Sequence, residues 1–151
     1  MITRTVQALV IGYVVIVVCI TLATLAAARL LLGPGAMDPS APLTPLYLSV
    51  NVLYSFAFAA LGGYVTAAIA PRAPAGHAVV LGIIMMVLGL ASARTAVPGQ
   101  PSWYLPLISI GGGACAALGG WFRASQIRRA RDARRGAVTP QSSVTRAPQA
   151  E

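Results

Sequence analysis

Little in this sequence can make or break a covalent bond. It contains one histidine, two cysteines and three acidic residues among 151. His77 stands near the start of an apolar segment that holds no carboxylate. It is the only histidine available to the serines as a base, yet it sits at the opposite end of that segment from Ser92. Cys19 and Cys115 form neither a CxxC pair nor part of a Cys/His cluster, which argues against a metal or dithiol centre. There is no HExxH pattern and no Gly-rich loop of the kind that cradles phosphates between a strand and a helix. These absences predict a non-enzymatic protein without a cofactor. The residues with most to offer are hydrogen-bonding ones. Asn51 and Tyr54 share a helical face with Tyr47, Ser55, Phe58 and Gly62. Arg94 falls at a matching level in another segment, as do Thr21, Thr24, Ser92, Tyr104 and Ser109. Such a set can hold an anion or a polar headgroup. It cannot activate a nucleophile.

The elements that must position these residues are four apolar runs, at residues 6–28, 46–70, 75–93 and 103–122, none containing an acid. Each is near the length that crosses a bilayer as a helix, about 17–25 residues. Apolar residues make up 57% of the chain and charged ones only 9%, a balance suited to lipid rather than water. The first run is longer than a signal-peptide core of about 7–15 residues, so it is expected to remain as a span. Residues 1–122 then form the membrane domain and 123–151 a tail. A proton or cation path needs an intramembrane carboxylate in most cases, and these runs supply none.

The arginines predict the orientation. Arg4, Arg72 and the cluster Arg123, Arg128, Arg129, Arg131, Arg134 and Arg135 fall on one side if four spans alternate. The other side has Arg29 and Arg94, offset in part by Asp38. Cytoplasmic loops carry the excess of basic residues, so both termini are expected in the cytoplasm. Prolines punctuate the connections: Pro34, Pro39, Pro42 and Pro45, then Pro71 and Pro74, then Pro98 and Pro101. Short turns at residues 71–75 and 94–102 make antiparallel neighbours. The expected fold is all-α, an integral membrane up-down-up-down four-helix bundle.

Burial of apolar surface cannot hold helices together in lipid, so close backbone approach at small residues must contribute. The first run offers Gly12, Cys19, Ala23 and Ala26, and the second Ala59 and Gly63. The third offers Ala78, Gly82, Gly89 and Ala93, and the fourth Gly112, Ala116, Gly119 and Gly120. On this reading the cysteines are small packed side chains. Residues 111–117 are small all the way round, which calls for neighbours on more than one side or for a contact with a second copy or another protein.

Two readings of the polar strip stay open. In one, Asn51 hydrogen-bonds between helices, the tyrosines form an interfacial belt and Arg94 extends to the outer headgroups. In the other, Asn51, Tyr54 and Arg94 line a shallow outward-facing pocket for an anionic or lipidic ligand. The basic residues at 123–135 are expected to continue the fourth helix and to attract anionic headgroups by about 1 kcal/mol per charge. From Gly136 the composition reads as disordered. Nucleic acid is not an expected partner, because the arginines flank apolar runs and no aromatic residue interleaves with those of the tail.

Gly62-Gly63-Tyr64, Ala68-Ile69-Ala70, Pro74, His77-Ala78 and Leu81-Gly82 resemble a hairpin of small uncharacterised bacterial four-span proteins, and Trp103-Tyr104 extends the likeness. The resemblance covers the second and third runs. It implies a location in the bacterial inner membrane and supplies no activity. Small multidrug transporters share the size, but they depend on a glutamate in the first span, which is absent here. Four-span quinone-linked thiol oxidases need paired cysteines, also absent. The expected function is structural, or that of an accessory subunit of a membrane complex. The alternative is a carrier or binder of a small or lipidic molecule at the polar strip.

Overall fold

The computed structural model describes residues 2–33, 43–70, 72–92 and 100–138. These form four helices, α1 (Ile2–Leu31), α2 (Pro45–Ile69), α3 (Pro74–Ser92) and α4 (Tyr104–Val138), with no strand among the described residues. All four are long and apolar enough to cross a membrane. At 1.5 Å per residue, α3 spans about 28 Å and α4 about 52 Å. The excess of α4 is its arginine-bearing end, which continues the helix without a break as far as Val138.

Local chemistry sets the ends. Thr44 caps α2 by accepting the Tyr47 amide at 3.3 Å, and Pro45 occupies the first turn, where its missing N–H leaves no bond unmade. After α1, Gly33 adopts φ 71°, a left-handed conformation that glycine takes without strain. The α2–α3 turn uses Ala73 at φ 48°, where a side chain is unfavourable. The Ala73 carbonyl is engaged by both the His77 amide (3.3 Å) and the His77 Nδ1 (3.1 Å).

Successive helices run in opposite directions, yet neighbours in space are not neighbours in sequence. α4 packs broadly against both α2 and α3, and α1 packs mainly on α2. Contact between α2 and α3 is smaller, that between α1 and α3 smaller again, and α1 has scarcely any contact with α4. Around the bundle the order is therefore α1, α2, α4, α3, with α2 and α4 parallel. The cause is α4's lack of side chains on two sides. A methyl group added at Gly119 would overlap the Ala60 carbonyl oxygen of α2 and lie 3.0 Å from its Cα. One at Gly63 would overlap the Ala116 carbonyl oxygen. On α4's other side, a methyl at Gly113 would lie 2.7 Å from the Gly82 carbonyl oxygen of α3, and one at Gly120 would overlap Ala78. Backbone thus lies on backbone along both seams. The α1–α2 seam is built the same way: a methyl at Gly12 would overlap the Thr66 hydroxyl and sit 3.0 Å from the Gly62 carbonyl oxygen.

Two small residues behave differently from their neighbours in the expected stripes. Gly112 is buried, but a methyl there would meet only the Ala59 Cβ, at 4.0 Å, an ordinary contact. Ala26 is exposed and Ala27 is buried. Ala27 belongs to a cluster with Tyr47, Leu48 and Tyr104, so the bulk of those three side chains decides which face α1 presents there. Large apolar side chains elsewhere point outward, among them Leu22, Leu53, Val87 and Leu118, each more than half exposed. An apolar surface this extensive suits lipid and not water.

Candidate functional site

The two ends of the bundle differ in chemistry. One carries Tyr47, Tyr54 and Tyr104; the other carries Arg4, Arg72, Arg123 and Arg128. At the tyrosine end, the Tyr54 and Thr24 hydroxyls are 2.8 Å apart and tie α2 to α1. Asn51 is buried, and its Oδ1 accepts the Ser55 hydroxyl at 3.3 Å, one turn along the same helix. Ser92 donates to the Leu88 carbonyl (2.9 Å) and Ser109 to the Leu105 carbonyl (2.7 Å). These local bonds satisfy hydroxyls that would be costly to leave bare in an apolar medium.

The strip expected on the outer half is thereby divided. Asn51 and Tyr54 face α2's own turn and α1 respectively. Arg94 lies outside the described residues. A cavity of about 300 Å³ opens between α1 and α3, which touch little, with α4 at its back, and its polar lining includes Thr21, Ser92 and Ser109. Tyr13, Ile16 and Gly89 form part of its wall. Neither Asn51 nor Tyr54 lines it. Its volume is at the lower limit of small-molecule sites.

At the basic end, three residues join α2 to α4. The Tyr64 hydroxyl and Arg123 Nη1 both donate to Gln126 Oε1 at 3.2 Å, and the Arg123 guanidinium stands 5.3 Å from the Tyr64 ring centroid. The arrangement combines hydrogen bonds with a cation–π contact. His77 Nε2 is 3.3 Å from the Thr5 hydroxyl, linking the start of α1 to the start of α3. With the Ala73 carbonyl held at Nδ1, the imidazole acts as a clasp between helices. Sequence reasoning placed Arg123 in a tail and His77 at a helix start, and it missed both contacts. Arg123 and Gln126, three residues apart on one helical face, were the available signal.

Cys19 and Cys115 are free thiols, each half-buried. Among the described residues no three His, Cys, Asp or Glu side chains gather where they could hold a metal. Comparison of the chain with protein-family models, with curated proteins and with solved structures finds no match.

Proposed function

We propose that this chain is a small non-enzymatic integral protein of the bacterial cytoplasmic membrane, with both termini inside, acting as a structural or accessory subunit of a membrane complex. The observation that carries this reading is how the polar strip is used. Tyr54 is bonded to Thr24, Ser55 to Asn51, and Ser92 and Ser109 to carbonyls of their own helices. Among the described residues Asn51 and Tyr54 are engaged in these bonds and neither lines the cavity that Ser92 and Ser109 border, so the strip is not gathered into one ligand site. Support for the orientation comes from the gathering of Arg4, Arg72 and Arg123–Arg135 at one end, the end that faces the cytoplasm in most membrane proteins.

The second reading, a carrier or binder of a small or lipidic molecule, draws on the cavity lined by Thr21, Ser92 and Ser109. Mass spectrometry of the tagged protein, extracted gently from its native membrane, separates the two. A stoichiometric protein partner is the expected result. A lone chain or homo-oligomer that retains a specific small molecule would overturn the accessory reading in favour of the carrier.

A further inference from the structure

The basic end holds a second, larger hollow, of about 620 Å³, between the α2–α3 turn and the extension of α4. Arg72 lines it from the turn, and Arg128 and Arg131, three residues apart on one face of α4, line it from the other side. Ala124 and Ile127 supply an apolar base. Ala75 and Gly76, in the first turn of α3, complete the wall. Amides of a first helical turn have no intrahelical acceptor, and the helix dipole is positive there. Of the neighbouring amides, that of His77 is already spent on the Ala73 carbonyl. Asp132, the only acid among the described residues, is not part of the lining.

We infer that this hollow is a site for the phosphate headgroup of an anionic phospholipid. Three guanidinium groups from two segments meet a helix N-terminus around a space large enough for a headgroup, above an apolar base that suits the first carbons of a lipid. Guanidinium forks match phosphate oxygens in pairs. The position argues for lipid over a soluble phosphate: α2 ends at Ile69 and α3 begins at Pro74, so the hollow lies where the apolar spans stop. Basic pockets at this level of a membrane protein bind anionic headgroups. The inference rests on the membrane placement proposed above and not on the accessory role.

The test uses the full-length protein in detergent micelles, at physiological salt, titrated with phosphatidylglycerol, cardiolipin, phosphatidylcholine or inorganic phosphate, with bound lipid read by native mass spectrometry. One variant is R72Q/R128Q/R131Q. Its control, R129Q/R134Q/R135Q, removes the same charge from the same region. At roughly fivefold per arginine, the groove triple should weaken anionic-lipid binding roughly a hundredfold. The control should lose clearly less, since Arg129, Arg134 and Arg135 do not line the hollow and act on a lipid there only through the diffuse attraction that salt screens. Gly76→Leu is a second variant that keeps every charge. A methyl there meets only the Ala73 Cβ at 3.8 Å, so the backbone has room for a side chain, and leucine at this wall position should crowd the hollow and also weaken binding. Equal losses in the two triples, or phosphatidylcholine bound as tightly as the anionic lipids, would overturn the site. So would inorganic phosphate that displaces the lipid at millimolar concentration. Insertion of the same protein into phosphatidylcholine vesicles is scored separately by resistance to alkaline extraction. Insertion together with equal triples sinks the site alone; failure to insert sinks the membrane placement.

Discussion

Gly63→Ala is the sharpest probe of the bundle. A methyl group at Gly63 would overlap the Ala116 carbonyl oxygen and lie 2.6 Å from its carbonyl carbon and 2.9 Å from its Cα. All three atoms are α4 backbone, so no side chain can rotate away. Carbon atoms prefer separations of about 3.5–4.0 Å, and opening a seam by about 0.5–1 Å already forfeits a quarter to a half of each contact. Overpacking of this kind costs about 1–3 kcal/mol. Against it stands the helical preference of alanine over glycine, worth roughly 1 kcal/mol. Gly112→Ala carries the same preference with no overlap, because its methyl would meet only Ala59 Cβ at 4.0 Å. Subtracting one variant from the other cancels the propensity. G63A is expected to be less stable than G112A by about 1–3 kcal/mol, a factor of roughly 5–150 in the unfolding equilibrium. The assay is reversible unfolding of the purified protein in mixed micelles, followed by circular dichroism. Equal stability of the two variants would refute the backbone-on-backbone seam between α2 and α4.

Tyr54→Phe and Thr24→Val should each lower stability by about 0.6–1.7 kcal/mol, the range for hydrogen bonds between membrane helices. The double variant should lose no more than either single one; additive losses in the cycle would mean the two hydroxyls are not partners. Thr66 is fully buried and its hydroxyl has no hydrogen-bond partner among the described residues, a state that costs about 1–3 kcal/mol. Thr66→Val should therefore hold or raise the melting temperature, and a marked fall would show that the hydroxyl is bonded. Ala73 holds a left-handed conformation at a cost of roughly 1–2 kcal/mol, so Ala73→Gly should be neutral or stabilising by up to about 1 kcal/mol, with the relief offset by unfolded-state entropy. Ala73→Val should be the less stable of the two, since β-branched residues are true outliers there; the reverse order in thermal melts would place the strain elsewhere.

Much of the fold was legible in the chain before any coordinates. Apolar runs free of acids must become helices in lipid, because every backbone N–H and C=O has to find its partner within the segment. Pro45 and Pro74 open α2 and α3, and Pro106 falls in the first turn of α4, for a reason as local: proline fits a first turn and not an interior. Both signals depend only on residues close in sequence, so composition and spacing determined the number and type of elements. Which helices touch is another matter. Gly63 and Gly112 are equally small and equally helical on paper, yet one lies against a carbonyl and the other has room for a methyl. Asn51 and Tyr54 stand together in the strip expected from the sequence, but Tyr54 reaches Thr24 and Asn51 stays with Ser55. Arg72 and Arg128 are far apart in sequence and line one hollow. Those outcomes depend on the order α1, α2, α4, α3, and only the tertiary structure decides that order. Small residues permit close approach from several directions, and the choice among them is made by the few tenths of an ångström at which whole backbones meet.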